Sequence, residues 1–435
     1  MKKPLSSIVR TIIIFAMLCI TLTGCYDSRE IDDMAYIVAI GLDTGKTNKL
    51  MMTLQLVVPP KIKGGDGGGG GDAEEGSQII TLEAPTIYSG LNMANNFISR
   101  QINLSHTKVL VFSEEFARNG IADLVIALPK GREFRPTVNI LVAKGTAVDY
   151  IKSVKPELEG NPAKYYELNN ISHLHTGFTA DTMFHNFYIQ SKSLSIQPVA
   201  TLAGVSKYKS PEDLSLADST YKDKGRPAPL EGDFKAGSLP KSGSVQSEIM
   251  GLAVFDRGKM VGELDGEQTM GYLMVRGKFN KAYVTMPDPI EKERFVILNI
   301  RQARKPNKNI KMVNDKPVID IRIMLEGDIT VIQSGINYES PEKMSILERG
   351  YEEFIKKGVS DFLVMTSKDF QSDICGLGSG MKKKFLTWDQ WKDFKWLSRY
   401  KEATFNVSVD VKIRRPGLTI RSSPITSTEG EIYAR

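Results

Sequence analysis

The sequence predicts an α+β protein with mixed or antiparallel sheets flanked by helices, in which the last domain is a sheet packed on one long helix. Strand-like and helix-like stretches alternate up to about residue 155. Period-two alternation then marks Val318–Ile332 and Phe405–Arg414 as strands, and a long stripe at helical spacing lies between them. The length of 435 residues suggests two or three domains.

The chain begins with the pattern of a cleaved lipoprotein signal peptide. Residues 1–10 carry three bases and no acid, Thr11–Gly24 is uncharged and apolar, and Leu22-Thr23-Gly24-Cys25 has the form of a lipobox. The apolar run is short for a spanning helix, which needs about 20 residues. Because lipoprotein processing requires a nucleophilic sulfur at the new N-terminus, Cys25 is predicted to carry the lipid. A plain signal peptide, an uncleaved anchor and a buried core helix remain alternatives.

The charge and the cysteine count of the chain limit the classes of function that it can have. Without the signal peptide the chain keeps 54 basic and 51 acidic residues, and a net charge of +3 predicts no special affinity for nucleic acid. Of the three cysteines, Cys19 is removed and Cys25 is acylated, so only Cys375 remains and no internal disulfide is expected. The protein must therefore be stabilised by packed cores, for which 41% hydrophobic residues is an ordinary content.

The first half is predicted to alternate strands with helices. Strands are expected at Tyr36–Leu42, Met51–Val58, Gln78–Glu83, Lys108–Phe112 and Val138–Ala143, and helices at Ile87–Gln101 and at Glu114–Ala127 with a break at Gly120. Gly64–Gly76 is glycine-rich, but no Gly-Lys-Ser/Thr follows, which favours a flexible surface loop over a phosphate-binding loop. Leu202–Gly243 is polar and rich in Pro, Gly and Ser, as is typical of a linker or a long excursion.

The second half is predicted to combine strands with one long helix. Met250–Val275 is expected to be compact β structure that turns at Asp256-Arg257-Gly258. Ser340-Pro341-Glu342 has the composition of a helix start, and the apolar stripe predicts a helix from there to about Asp369. The alternating strands on either side are expected to form an antiparallel sheet against this helix.

No constellation of residues predicts catalysis, a cofactor or a metal. His173, His175 and His185 could be drawn as a metal site, but no cysteine accompanies them and their spacing fits no structural zinc pattern. The Gly376–Gly380 stretch lacks the first glycine of a nucleophile elbow, since Leu377 stands there. The sequence therefore predicts a protein that is not an enzyme.

The segment Lys382–Tyr400 mixes bases with aromatic residues and holds all three tryptophans, Trp388, Trp391 and Trp396. Three interpretations stay open. The segment can close a domain by packing its aromatic side chains inward, it can form a membrane-facing or partner-facing surface, or it can stack nucleotides.

Four blocks, in order along almost the whole mature chain, resemble the Ger(x)C lipoproteins, which are the C subunits of spore germinant receptors. The blocks are Gly24–Asp33 with Ile40–Asp43, Ser105–Phe112 with Glu115–Gly120, Gly251–Phe255 with Lys259–Leu264, and Asp373–Gly378 with Trp388, Trp391 and Val407–Ile413. Two positions depart from the family pattern, because Tyr26 stands where tryptophan is usual and Leu377 where phenylalanine is common.

This resemblance implies a three-domain α+β lipoprotein, tethered through an S-diacylglyceryl and N-acyl group on Cys25 to the outer face of the spore inner membrane. It also implies that the protein assembles with a polytopic A subunit and a permease-like B subunit into a receptor that senses nutrients and triggers germination. The family has no assigned catalytic residues. The alternative is a solute-binding lipoprotein of a membrane transporter, which predicts two similar α/β lobes around a ligand cleft. Which nutrient is sensed, and by which subunit, stays open.

The predicted division of the chain has five parts. They are a signal peptide at 1–24, an N-terminal α/β domain at 25–200 with the glycine-rich loop 64–76, a linker and small middle β domain at 201–288, a C-terminal α+β domain at 289–423, and a flexible tail at 424–435.

Overall fold

The structure is a computed structural model that describes residues 5–21, 33–57, 77–131, 133–156, 158–214, 226–415, 417, 425–427 and 430–432. Its first element is helix α1 (Leu5–Thr21), which spans the apolar part of the predicted signal peptide. Among the helices of the described residues, none combines the length and the apolarity that crossing a membrane requires. The lipobox with Cys25, the glycine-rich loop and most of the predicted tail lie outside the described residues.

The first sheet contains nine strands within the described residues. Its strands and the helices between them are β1 (Met34–Thr44), β2 (Leu50–Val57), β3 (Ser77–Ala84), α2 (Ile87–Ala94), β4 (Gln101–Asn103), β5 (Val109–Ser113), α3 (Glu114–Asn119), α4 (Ala122–Ala127), β6 (Asn139–Ala143), α5 (Ala147–Ser153), α6 (Pro162–Asn170), α7 (Phe184–Ser191), β7 (Val199–Val205), β8 (Ser247–Asp256) and β9 (Lys259–Leu264).

This sheet has a parallel centre and antiparallel edges. The strand order is β3-β2-β1-β5-β6-β7-β8-β9, and β4 pairs in parallel with the start of β1. Strands β1, β5, β6 and β7 run parallel, while β2–β3 and β8–β9 are antiparallel hairpins at the two ends. The parallel strands are joined by helical crossovers, as parallel pairing requires.

Helices cover both faces of the first sheet. Along β5, Val109 and Val111 point into one apolar cluster with α5 and α6, while Leu110 and Phe112 point into another with α2, α3, α4 and α7. All five β5 residues are buried. This explains why the sequence shows a continuous apolar run here rather than alternation.

The second sheet and its helices form the rest of the fold. Their bounds are α8 (Gly266–Arg276), β10 (Lys281–Pro287), β11 (Phe295–Gln302), β12 (Asn307–Val313), β13 (Lys316–Ile332), α9 (Pro341–Lys368), α10 (Gly378–Lys382), α11 (Trp388–Phe394), α12 (Trp396–Arg399) and β14 (Thr404–Arg415), followed by the short hairpin β15 (Ile425–Ser427) and β16 (Gly430–Ile432). The long strand β13 pairs with β11, β12 and β14.

The predicted long helix and its two flanking strands are confirmed. Strand β13 alternates as expected, with Ile319, Ile321 and Ile323 buried. Helix α9 buries its apolar stripe against the sheet, and the Tyr351 hydroxyl donates to the Val284 and Val296 carbonyl oxygens at 3.0 and 2.8 Å. The antiparallel expectation was wrong for β14, which runs parallel to β13 because α9 carries the chain back to the same end of the sheet.

The predicted compact β structure at Met250–Val275 was wrong in its second part, where α8 forms. The Asp265 side chain accepts from the Gln268 N–H at 2.8 Å, and the Gln268 side chain accepts from the Asp265 N–H at 3.0 Å. This capping box starts the helix, and Gly277 ends it in the left-handed conformation at φ 69°.

Residues 201–288 supply strands to both sheets. Strands β8 and β9 extend the first sheet through β7, whereas β10 begins the second sheet. Leu252, Val254 and Leu264 pack in the same apolar cluster as α8, α9 and the second sheet. The segment predicted as a linker and small middle domain therefore joins the two sheets through one continuous core.

An ionic network ties the last strand of the first sheet to α3. The Lys144 Nζ lies 2.8 Å from Glu114 Oε2 and 2.6 Å from Glu263 Oε1, and Arg118 lies 2.8 Å from Glu114 Oε1. Burial alone would raise the pKa of Glu114, but the hydrogen bonds from Lys144 and Arg118 outweigh it, so the pKa lies below its usual value. Burial lowers the pKa of Lys144, and the two carboxylates reverse this and raise it.

Replacing Lys144 with methionine is expected to lower the free energy of unfolding by about 1–3 kcal/mol at pH 7, since it removes charge-assisted hydrogen bonds from partly buried carboxylates. A carboxyl group whose pKa is lower in the folded chain than in the unfolded chain stabilises the fold at pH values above its unfolded pKa of ~4.3. This stabilisation is lost as the pH falls through the pKa of the folded state. The difference from the wild type should therefore shrink in acid. Urea unfolding at several pH values measures it.

The matched control is Lys108→Met, because Lys108 pairs with Glu167 at 3.1 Å on the open surface. Exposed pairs contribute about 0–1 kcal/mol. An equal loss in both variants, or a Lys144→Met effect that does not change with pH, would contradict the assigned role of the network.

Candidate functional site

The predicted site residues lie in two places, of which the structure describes one. Cys25 and Tyr26 fall outside the described residues. The tryptophan segment, defined here as residues 382–400, is described throughout. It comprises the end of α10, helix α11 with a capping box between Thr387 and Gln390, and helix α12. Lys395 separates α11 from α12 in the left-handed conformation, with φ 51°.

The tryptophan segment packs two of its three tryptophans into the core. Trp391 is 2% exposed and Trp396 is 1% exposed, whereas Trp388 is 56% exposed. Trp391 lies 5.6 Å from the Phe385 ring and 6.1 Å from the Phe394 ring. The proposed partner or membrane surface was therefore wrong for Trp391 and Trp396, because their apolar rings gain more from burial among other aromatic rings than from exposure. Of the three tryptophans, Trp388 alone presents a largely exposed ring.

Asp373 organises the loop that receives this segment. Its carboxylate is completely buried and accepts hydrogen bonds from the Leu377 N–H at 3.1 Å, the Gly378 N–H at 2.8 Å and the Trp396 indole Nε1–H at 2.8 Å. Burial raises the pKa of Asp373, and these hydrogen bonds oppose the rise. The Asp373–Gly378 block therefore fixes Trp396 in position.

The same loop contacts the first sheet. The Gln197 N–H donates to the Asp373 carbonyl oxygen at 2.8 Å, and the Ser372 hydroxyl donates to the Phe255 carbonyl oxygen at 2.8 Å. The Gln197 side chain in turn accepts from the Arg257 N–H at 3.2 Å in the β8–β9 turn. Two of the four sequence blocks thus meet here, where these hydrogen bonds connect the loop after α9 to the first sheet.

The remaining candidates for chemistry are dispersed or buried. Among the described residues, no group of three or more His, Cys, Asp or Glu side chains is placed to hold a metal ion. Cys375 is 1% exposed, and burial raises the pKa of its thiol to about 12, which keeps the thiol protonated and unreactive at neutral pH. Leu377, the second departure from the family pattern, is also buried and contacts core residues rather than solvent.

Asp373 was quoted in the sequence as part of a block, but its role as a buried acceptor was not predicted. The available signal was an acid followed by the apolar Ile374 and Cys375 and then by Gly376, Leu377 and Gly378. Glycine is required at 378, because a Cβ atom there would lie 2.4 Å from Trp396 Cδ1. Such a pattern indicates a tight turn around a polar centre.

Two family models match the chain and together span most of it. Residues 27–205 match the model described as "Spore germination protein N-terminal domain". Residues 250–417 match the model described as "Spore germination B3/ GerAC like, C-terminal". The two matches follow each other in the same order as the two sheets.

Curated relatives and a solved structure agree with these matches. The chain is 25% identical to Spore germination protein KC of Bacillus subtilis (strain 168) over 418 residues, which cover 93% of this chain and 95% of that protein. It is 22% identical to Spore germination protein GerQC of Bacillus cereus over 94% of this chain and 99% of that protein. The crystal structure of the GerBC protein shares the fold, with a TM-score of 0.51 at 16% identity over 86% of this chain and 96% of that chain.

Proposed function

Because the chain belongs to the Ger(x)C family of spore germination proteins, we propose that it is the lipid-anchored C subunit of a nutrient germinant receptor. The observation that carries this proposal is the match to both family models in order, extending over almost the full length of relatives named as spore germination proteins. The resemblance stated from the sequence blocks is confirmed at the level of the family.

In this proposal the anchor is the diacylglyceryl group on Cys25. Helix α1 carries the apolar residues of the signal peptide, and the lipobox follows it directly in the sequence. Two acyl chains contribute ~0.8 kcal/mol per buried CH₂, which is enough for stable membrane attachment. The anchored subunit lies at the outer face of the spore inner membrane.

The proposed action is docking to the integral A and B subunits without catalysis. Anchoring confines the subunit to the membrane surface and raises its effective concentration next to these partners, so each contact can be weak. Trp388 is one candidate contact, because it combines a large ring with 56% exposure. The two sheets share one continuous core, which suits a subunit that moves as one rigid body when a partner displaces it.

The test replaces Cys25 with alanine in spores that lack the wild-type gene. Without the anchor the effective concentration falls, so dipicolinate release in response to the sensed nutrient should slow at least about tenfold. Cys19→Ala is the matched control, since it changes a cysteine of the same apolar segment that processing removes. Germination is followed against a panel of single nutrients, and membrane fractions are probed for the protein.

Three outcomes would contradict the proposal. Cys25→Ala could stay in the membrane fraction and germinate normally, which would remove the anchor from the mechanism. Deletion could leave every nutrient response intact in a strain without other receptors of this family. Deletion could also abolish uptake of a solute rather than germination, which would favour the transporter alternative.

A further inference from the structure

A cleft of about 400 Å³ opens beside the tryptophan segment, where the two parts of the chain meet. Its walls come from the end of α7 and the residues that follow it, from the β8–β9 turn, and from α11, α12 and Lys395 between them. The residues that line it are Ser191, Lys192, Ser193, Leu194, Gln197, Arg257, Trp391, Lys392, Lys395, Trp396, Leu397 and Ser398.

The lining is strongly cationic. Lys192, Arg257, Lys392 and Lys395 are all exposed, and no aspartate or glutamate belongs to the described lining. Within the part of the chain that the structure describes, none of the four forms an ion pair. A cleft with walls of one charge sign focuses the electric field and concentrates counter-ions. It is therefore suited to an anionic group.

A buried donor belongs to the same cleft. The Trp391 indole Nε1–H is buried and has no hydrogen-bond acceptor among the described residues. An unpaired buried donor is unfavourable and calls for an explanation. Trp391 is also one of the residues that line the cleft, so a ligand held there contacts the residue that carries this unsatisfied donor.

Exposed apolar side chains belong to the same segment. Leu386 is 96% exposed and Trp388 is 56% exposed, and the Lys382 ammonium lies 4.7 Å from the centre of the Trp388 ring. Trp388 is one helical turn from Lys392, so the ring and the cationic wall share a side of α11. Tryptophan and leucine next to lysine are typical of the region where lipid headgroups meet acyl chains.

We propose that this cleft binds the phosphate of an anionic phospholipid headgroup, with Leu386 and Trp388 inserting beside it. The inference rests on the proposed function, in which the lipid on Cys25 attaches the chain to a membrane. A phosphodiester carries one negative charge and acceptor oxygens, which suit the four cations and the Trp391 indole. Binding would fix the orientation of the tethered subunit on the membrane.

The experiment uses the full lipidated chain reconstituted into phosphatidylcholine vesicles that contain rising mole fractions of brominated phosphatidylglycerol. All three tryptophans of the chain lie in this segment, so their fluorescence is an internal probe. Bromine quenching should be stronger with brominated phosphatidylglycerol than with brominated phosphatidylcholine at the same mole fraction. High salt should remove the difference, because the attraction is electrostatic.

The decisive variant is Lys192→Glu/Lys392→Glu, which reverses one charge on each wall. Each basic residue near an anionic surface contributes roughly fivefold in affinity, so the mole fraction for half-maximal quenching should rise at least about tenfold. Lys356→Glu/Lys357→Glu is the matched control, since it makes the same charge change on the exposed side of α9. It should leave the curve unchanged, and circular dichroism checks that both variants fold.

Equal quenching by the two brominated lipids, or an unchanged curve in Lys192→Glu/Lys392→Glu, would overturn the proposal. Suppression of the quenching by inorganic phosphate at a concentration where sodium chloride of the same ionic strength has no effect would also overturn it, because the cleft would then take free phosphate rather than a lipid. Flotation of the wild-type chain with pure phosphatidylcholine vesicles tests the Cys25 anchor separately. A failure of the proposed function is thereby distinguished from a failure of this site.

Discussion

Replacing Asp373 with alanine is expected to lower the free energy of unfolding by about 3–5 kcal/mol. The change leaves three buried donors without an acceptor, namely the Leu377 and Gly378 N–H groups and the Trp396 indole N–H. Each unsatisfied donor costs about 1–3 kcal/mol. Urea unfolding of the chain measures the loss, with tryptophan fluorescence as a local probe and circular dichroism as a global one.

Two variants separate the hydrogen bonds of Asp373 from its charge and its place in the segment. Asp373→Asn keeps one acceptor oxygen and should lose less stability than Asp373→Ala. Asp389→Ala removes an exposed carboxylate from the first turn of α11 and should cost only about 0.3–1 kcal/mol, the range of a helix-dipole interaction. If Asp373→Ala were no worse than Asp389→Ala, the buried carboxylate would not hold the loop.

The strands that expose one face were predictable from the sequence because the pleat imposes period two. In β13 the isoleucines at 319, 321 and 323 alternate with polar residues, and β14 repeats the pattern. Alternation reports which side chains share a face, but it carries no information on strand direction. The parallel pairing of β14 with β13 is set by where α9 returns the chain, so the sequence pattern left it open.

Helix α8 is an element that the hydrophobic periodicity of the sequence does not predict. Eight of its eleven residues are buried, so no polar stripe marks a helical period, and the apolar run favours compact β structure in the sequence. The usable signals were local ones, namely the Asp265–Gln268 capping box and Gly277 at the C-terminus. Capping residues at the two ends of a helix can thus identify a buried helix that hydrophobic periodicity misses.

The tryptophan segment was ambiguous for a related reason. Bases interleaved with aromatic residues fit two structures equally well. One is a surface that binds lipid, and the other is a helix whose rings point inward and whose lysines point outward. Burial of Trp396 depends on the acceptor at Asp373, and Trp391 is buried against the Phe385 and Phe394 rings. The sequence identified the segment, whereas only the tertiary contacts separated Trp388 from the other two.

Replacing Gly251 with alanine is expected to lower the free energy of unfolding by at least about 3 kcal/mol, or to prevent folding. Gly251 lies in β8 at φ 90°, where side chains are strained. A Cβ atom there would also lie 2.3 Å from the Leu264 carbonyl oxygen, which is backbone of the paired strand β9. Relief of this overlap requires the β8–β9 hairpin to open, and that hairpin joins the first sheet to the core of the second.

Gly145→Ala is the control that isolates the overlap at Gly251 from the backbone strain. Gly145 has nearly the same φ of 89°, but no heavy atom lies within 4 Å of an added Cβ. Strain alone costs about 1–3 kcal/mol, so Gly145→Ala should fold and show only that loss in urea unfolding. Equal losses in the two variants would mean that β9 can move away without cost. A larger loss at Gly251 would instead show that the β8–β9 hairpin cannot open without cost, because any shift of Leu264 disturbs the apolar cluster that the hairpin shares with the second sheet.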